Sequence, residues 1–256
     1  MTRPVAFSDN EILYLTDSPS EYQRLLDENK SVIPVLPDYR NQFSSTENEL
    51  FFQSKYALSE VDLSDETKWN DGLDPAYLYH VYQRLNHIPW HILDTDRMSL
   101  RETTVDDVDR FYEIYAKDPD IEKYVETLFE DPEDEKLYQK NYISKIYEFY
   151  DFGVWTIDYK ESKEVIGRAG LSIIDGYDYP DLGFIIDKDM QKRGLAFEIC
   201  SAILYYAHDT LGFDTIQARV RPENEKSIHL LKKLGFEFDG TIKDEYLIAI
   251  DHLCHN

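Results

Sequence analysis

The chain has 256 residues, 42% of them hydrophobic, which is more length than one average domain needs and ample apolar material for a core. Its 51 acidic and 27 basic residues leave a net charge of −24. That charge argues against nucleic acid and anionic membrane surfaces as partners, and it favours cationic small molecules or basic peptide termini.

In chain order, Ile12 to Thr16 is a short apolar run followed by Asp17-Ser18-Pro19, which suits a strand and then a helix start. Ser31 to Leu36 reads as a second buried strand. Pro75 to Leu85 reads as a helix, with Leu78, Val81, Tyr82 and Leu85 on one face. Residues 1–95 are therefore expected to form a small α/β domain, and a second domain is expected over 96–256. In the second, Thr103 or Thr104 can cap a helix carrying the stripe Val105, Val108, Phe111, Tyr112 and Tyr115. Another helix is expected from about 133 to 150. Strands are expected at 153–159 and 165–174 around the polar turn 160–164, then at 182–186. A helix over 196–211, a strand over 216–220, a helix over 226–234 and a hairpin over 237–250 complete the pattern. Cys200 falls in the apolar helix 196–211 and reads as packing.

Between the strand at 182–186 and the helix at 196–211 stands Gln191-Lys192-Arg193-Gly194-Leu195-Ala196-Phe197. A strand feeding a short, basic, glycine-containing turn that opens a helix can hold phosphate, because the helix N-terminus offers unpaired N–H groups and about half a positive charge. Gly194 and Ala196 leave room at the backbone, while Gln191, Lys192 and Arg193 add donors and charge. Further on, strand 216–220 runs into Arg221-Pro222-Glu223-Asn224-Glu225-Lys226-Ser227 and a helix closed by Gly235-Phe236. Asn224 suits the N-cap and Gly235 the C-terminal stop.

The first stretch resembles the acyl-CoA pyrophosphate loop of the GNAT-type N-acetyltransferases, and the second resembles that family's Asn motif and the helix ending in Lys-x-Gly-Phe. Asp94 to Arg101 resembles the start of the ribosomal-protein N-acetyltransferase branch, so the resemblance covers about 96–251. It implies an α/β (α+β) acyl-CoA N-acyltransferase fold, with a mixed, mostly antiparallel sheet flanked by helices. It also implies acetyl-CoA as co-substrate, an amine acceptor and no metal. Phe184, Ile185 and Ile186 would receive the pantetheine arm, residues 191–197 the pyrophosphate, and Asn224 and Ser227 the cofactor arm. The resemblance makes Asp181 the candidate general base, at a position where that branch commonly has Glu. Many relatives carry Tyr seven residues after the Asn as the acid that protonates the leaving thiolate. Here that position is Leu231, which leaves Ser227, His229, Tyr246 or water. A thiolate leaves without help at a pKa of about 8.5. Within its helix, His229 reads as a surface residue. Tyr177 and Tyr179 are candidates to line the acceptor groove.

Residues 1–93 faintly resemble part of a haloacid-dehalogenase-like Rossmannoid core. Their only candidate for the aspartyl nucleophile motif, Asp94-Thr95-Asp96, lacks the final Thr and begins the next domain. A structural, dimerising or substrate-covering role is expected there instead, which leaves a homodimer open. The rival to an enzyme is a non-catalytic CoA-binding or regulatory protein, suggested by Leu231 and the appended domain. With no apolar stretch near twenty residues, no signal-type segment and two cysteines without disulfide or metal spacing, a cytoplasmic location is expected.

Overall fold

The computed structural model describes residues 1–36, 49–59, 61–65, 69 and 71–252. They form two compact units, Met1–Ile88 and Pro89–Asn256. In the first, β1 (Thr2–Ala6) lies antiparallel to β2 (Ile12–Thr16). After α1 (Pro19–Asp27), β3 (Ser31–Leu36) pairs parallel with β2; α2 (Glu49–Gln53) precedes β4 (Leu58–Ser59), which pairs parallel with β3, and α3 (Pro75–Leu85) follows. The edge strand β1 has no counterpart in the sequence reading, since Thr-Arg-Pro-Val-Ala is too short and mixed to show a period, and Pro4 is tolerated at a sheet edge. β3 buries both faces: Ile33 and Val35 pack with Leu13, Leu15, Leu78 and Val81, while Val32 and Leu36 pack with Tyr22, Leu25 and Phe51. Ser18 caps α1 by accepting from the Glu21 N–H, and Asp74 caps α3 by accepting from the Ala76 N–H, each followed by Pro at the first helical position.

The second unit is built on an eight-stranded sheet. It opens with β5 (His91–Asp94) and β6 (Met98–Arg101), an antiparallel pair. That pairing moves the division between units to 88/89, earlier than the expected start at 96. Next come α4 (Val108–Ala116) and α5 (Pro132–Tyr142). The latter runs through a π-helical turn, Ile143–Tyr147, into α6 (Glu148–Tyr150). Then follow β7 (Val154–Tyr159), β8 (Glu164–Ser172), β9 (Asp181–Ile186), α7 (Leu195–Asp209), β10 (Thr215–Val220), α8 (Glu225–Leu234), β11 (Glu237–Lys243) and β12 (Tyr246–His252). The sheet order is β11-β12-β10-β9-β8-β7-β6-β5. Every neighbouring pair is antiparallel except β9 and β10. The core between sheet and helices includes Met98, Leu100, Trp155, Ile157, Ile166, Ile199, Ile203 and Ile216.

The expected single helix over 133–150 is interrupted by the π turn, for which the packing supplies a reason. The extra residue sets two tyrosines against the end of the sheet: the Val154 N–H donates to the Tyr142 hydroxyl at 2.9 Å, and the Thr103 N–H donates to the Tyr147 hydroxyl at 3.1 Å. Gly153 lies beneath both. A Cβ there would stand 2.7 Å from the Tyr147 ring and 2.8 Å from the Tyr142 hydroxyl. The chain therefore needs glycine at this close approach.

Cys200 is buried, and burial pushes its thiol pKa up, so it is packing and not a reactive group. Cys254 and His255 lie outside the described residues. No helix among the described residues is long and apolar enough to cross a membrane. No described group of three or more His, Cys, Asp or Glu could hold a metal ion.

Candidate active site

The site begins with the one parallel pair of the eight-stranded sheet. β9 and β10 share a single register pair, Gln217 with Asp181, and the Gln217 N–H donates to the Pro180 carbonyl at 2.9 Å. Beyond it the strands diverge. The other edge of β9 stays paired with β8 through Gly167–Ile186. Because the Asp187 N–H donates to the Ile166 carbonyl, the two-residue alternation turns the main-chain groups of residues 185 and 183 toward β8. Those of Phe184 and Ile186 face the opening. An extended, amide-bearing molecule laid there can pair with the backbone as a further strand would.

At the far end of β9, about 17 Å along at 3.3 Å per residue, the chain turns into α7. Gly194 is the N-cap, held left-handed at φ 79°, and Lys192 is also left-handed at φ 61°. The first N–H groups of α7, on Leu195, Ala196 and Phe197, have no intrahelical partner. Lys192 and Arg193 are exposed. The Gln191 side chain is not free: its Nε2 donates to the Ile186 carbonyl at 3.0 Å and closes the loop. Arg97, immediately before β6, fastens the loop, donating to the Arg193 carbonyl at 2.9 Å and pairing with Glu198.

At the near end, Asp181 stands where the strands part, only 8% exposed. Burial pushes its carboxyl up to about 6; the neighbouring Arg219 and Gln217 oppose that shift without cancelling it. Gln217 Nε2 donates at 3.4 Å. Arg219 Nε lies 3.2 Å from Oδ1, within ion-pair distance although not aligned as a hydrogen bond. The Arg219 guanidinium is itself held between the Tyr177 and Tyr246 rings, at 5.1 and 5.3 Å. A carboxyl ionising near 6 is ionised at neutral pH and basic enough to take a proton.

A cavity of about 1130 Å³ opens over Asp181, and everything that borders it belongs to the second unit. Gly183, Phe184 and Ile185 form its floor, with Arg168 of β8 beside them; Arg219 of β10 and Asn224, Ser227 and Leu231 of α8 form one side. Glu126, Phe129, Glu135, Tyr138 and Tyr142 form another. Asn224 Oδ1 accepts from the Ser227 N–H at 3.1 Å, so Asn224 is the N-cap of α8 and a wall residue at once. Ile186 and the loop 191–197 do not border the cavity. Of the residues considered as the acid, Ser227 and Tyr246 border it, whereas His229 is exposed on α8. Leu231 is buried against the core.

Two expected lining residues lie elsewhere. Tyr177 supports Arg219, its hydroxyl donating to Asp244 at 3.0 Å and its ring lying 4.1 Å from Lys243 Nζ. Tyr179 is exposed and does not border the cavity. The aromatic rings that do border it include Tyr115, Phe129, Tyr138 and Tyr142, from segments whose apolar pattern reads only as helix or loop. Arg168 likewise carried no local signal, being one charged residue in a strand.

Comparison with known proteins agrees with this geometry. The family model described as the Acetyltransferase (GNAT) domain matches residues 97–237. The Bacillus subtilis uncharacterized N-acetyltransferase YoaA is 27% identical over 159 residues, covering 59% of this chain and 86% of that protein. The ribosomal protein uS5 alanine N-acetyltransferase of Escherichia coli is 37% identical over 99 residues, covering 38% of this chain and 50% of that protein. The crystal structure of an Agrobacterium tumefaciens acetyltransferase superposes with a TM-score of 0.54 at 24% identity, over 62% of this chain and 93% of that one. The chain belongs to the GNAT acetyltransferase family, and it is an acyltransferase by that membership. It spans about half the length of the uS5 enzyme.

Proposed function

We propose that the protein transfers the acetyl group of acetyl-CoA to a primary amine, either a small cationic amine or a protein N-terminus, by direct attack on the thioester. The observation that carries this reading is the parting of β9 and β10, with unpaired main chain at Phe184 on one side and the raised carboxyl of Asp181 at its apex. The free N–H groups at the start of α7, with Lys192 and Arg193, suit the pyrophosphate, and the strand edge at Phe184 to Ile186 suits the amide-bearing arm. Asn224 and Ser227 would flank that arm from α8.

An alkylammonium with a pKa of about 10 must lose a proton before it can attack. Asp181 accepts it directly or through one water. The amine nitrogen then bonds to the thioester carbonyl carbon, the carbon–sulfur bond breaks, and the electron pair leaves on sulfur as the CoA thiolate. The shorter Asp, where the branch commonly has Glu, favours the relay through water. Leu231 offers no proton to the thiolate.

A specific observation favours a second reading. With Leu231 buried at the position where many relatives carry the acid, the chain could bind CoA without turnover. Thiol release from acetyl-CoA against polyamines, aminoglycosides and N-terminal peptides separates the two. Amine-dependent release supports transfer, and CoA binding without release by any amine supports the regulatory reading.

A further inference from the structure

The second unit has seven arginines: Arg97, Arg101, Arg110, Arg168, Arg193, Arg219 and Arg221. Five are in ion pairs with carboxylates: Arg97 with Glu198, Arg101 with Asp107 and Asp158, Arg110 with Glu113 and Asp187, Arg219 with Asp181, and Arg221 with Glu245. Among the described residues no carboxylate pairs with Arg193 or Arg168. In a chain with almost twice as many acids as bases, a half-buried guanidinium left without a carboxylate is a departure that calls for a ligand. Arg193 stands in the phosphate loop, where an anion is already expected. Arg168 borders the cavity over Asp181.

Arg168 is held in place without being neutralised. One Nη donates to the Tyr115 hydroxyl at 2.8 Å, and the guanidinium lies 5.2 and 5.7 Å from the Phe111 and Tyr115 ring centroids. A guanidinium has five N–H donors, so most of its fork is not used by that bond. The register of the sheet decides the direction. Arg168 pairs with Ile185 and Ser172 pairs with Asp181, so Arg168 and Asp181 lie on the same face. Gly183 stands between Asp181 and Ile185 on that face, and a Cβ there would meet nothing within 4 Å, so the floor between the two charges is open.

We propose that Arg168 binds a carboxylate of the acceptor, and that the acceptor is a peptide amino terminus with Asp or Glu within its first three residues. This rests on the transferase reading above. The pantetheine arm is uncharged and the phosphates of CoA belong at the α7 end, so the co-substrate's own arm brings no anion to this cavity. Four residues along β9, about 13 Å, separate Asp181 from the partner of Arg168. That span, less the reach of the arginine side chain, exceeds a free amino acid, whose amine and carboxylate share one carbon. An extended peptide at 3.3–3.6 Å per residue covers it within two or three residues.

The experiment uses the full chain loaded with CoA and two peptides that differ only in Glu or Gln at the second and third positions. Equilibrium binding is read by calorimetry, and thiol release from acetyl-CoA is read separately. The expected result is a preference for the acidic peptide of roughly tenfold, the scale of one charge-assisted contact. It collapses to about one in Arg168→Gln and is partly kept in Arg168→Lys, with unchanged thermal melts showing that both variants fold. Equal binding of the two peptides by the wild type, or an undiminished preference in Arg168→Gln, overturns the assignment even where thiol release shows transfer. An Arg168-dependent binding preference without thiol release from any amine overturns transfer and leaves the carboxylate site standing. An Arg168-dependent preference for succinyl-CoA over acetyl-CoA, with no peptide preference, moves the carboxylate to the acyl group and overturns the acceptor assignment.

Discussion

The two ends of the site are made of different material. The α7 end is backbone: a left-handed glycine, free N–H groups and the unpaired edge of β9. The Asp181 end is side chains, assembled from β8, β9, β10, α8, the segment 124–129 and α5. A backbone site tolerates sequence change wherever its conformation survives, whereas a side-chain site depends on the identity and reach of each group. The contrast predicts that substitutions at the Asp181 end change rate and selectivity, while those at the α7 end change CoA affinity.

The largest effect is expected at the Asp181 end. Asp181→Asn should lower the rate by roughly 10²–10⁴-fold, with CoA affinity by calorimetry nearly unchanged. In the wild type, kcat/KM should fall as pH drops through about 6, because the base is then protonated. The acid limb should vanish in the variant, leaving only the amine's own ionisation. The same carboxyl makes stability depend on pH with a definite sign. Its folded pKa of about 6 exceeds the ordinary 3.8, so its contribution is fully present below 3.8 and is lost as pH rises through 6, on the order of 3 kcal/mol. Thermal melts of wild type and variant between pH 3.5 and about 7 should converge and diverge accordingly. A variant of near wild-type rate would make Asp181 a structural acid.

At the other end, Gly194→Asp places a carboxylate where the pyrophosphate is expected. Calorimetry should give heat for the wild type, with an affinity on the order of −8 kcal/mol, and none for the variant. Equal binding by both would remove the loop from the site.

Two glycines sharpen the contrast between packing and open space. A Cβ on Gly167 would stand 2.0 Å from the Ile185 carbonyl oxygen, so Gly167→Ala must force β8 and β9 apart and should destabilise by about 1–3 kcal/mol in denaturant titration. Gly183→Ala meets nothing, so stability should stay within about 0.5 kcal/mol. Its methyl group enters the cavity floor and should raise acceptor KM a few-fold. At Asn224→Ala, loss of the cap should cost about 1 kcal/mol. A fall in CoA affinity beyond that would show that the amide serves the cofactor arm as well as the helix.

The α7 end was largely legible in the sequence. Gly194, Asn224 and Gly235 mark helix ends because left-handed φ and capping are local properties of a few consecutive residues. The strand and helix runs of the second unit lie within a few residues of their expected bounds, because periodicity depends only on neighbours. Asp181 entered through the resemblance, and what the structure adds is its burial between Gln217 and Arg219.

The rest of the Asp181 end was legible only in the fold. Tyr142 and Tyr147 both reach the end of the sheet because a π turn shifts Tyr147 relative to Tyr142, and Arg168 meets the cavity because β8 pairs with β9 in one register and not the next. Tyr177, a plausible groove residue by sequence, supports Arg219 because the β11–β12 hairpin brings Asp244 to its hydroxyl. The sequence by itself determined most elements of the second unit, their caps and the glycine turn before α7, since each is set by steric and hydrogen-bonding preferences acting over a few residues. Only the tertiary structure decided which charges share a cavity and which are neutralised. Burial and long-range pairing act between residues far apart in the chain, and they leave no period or motif behind.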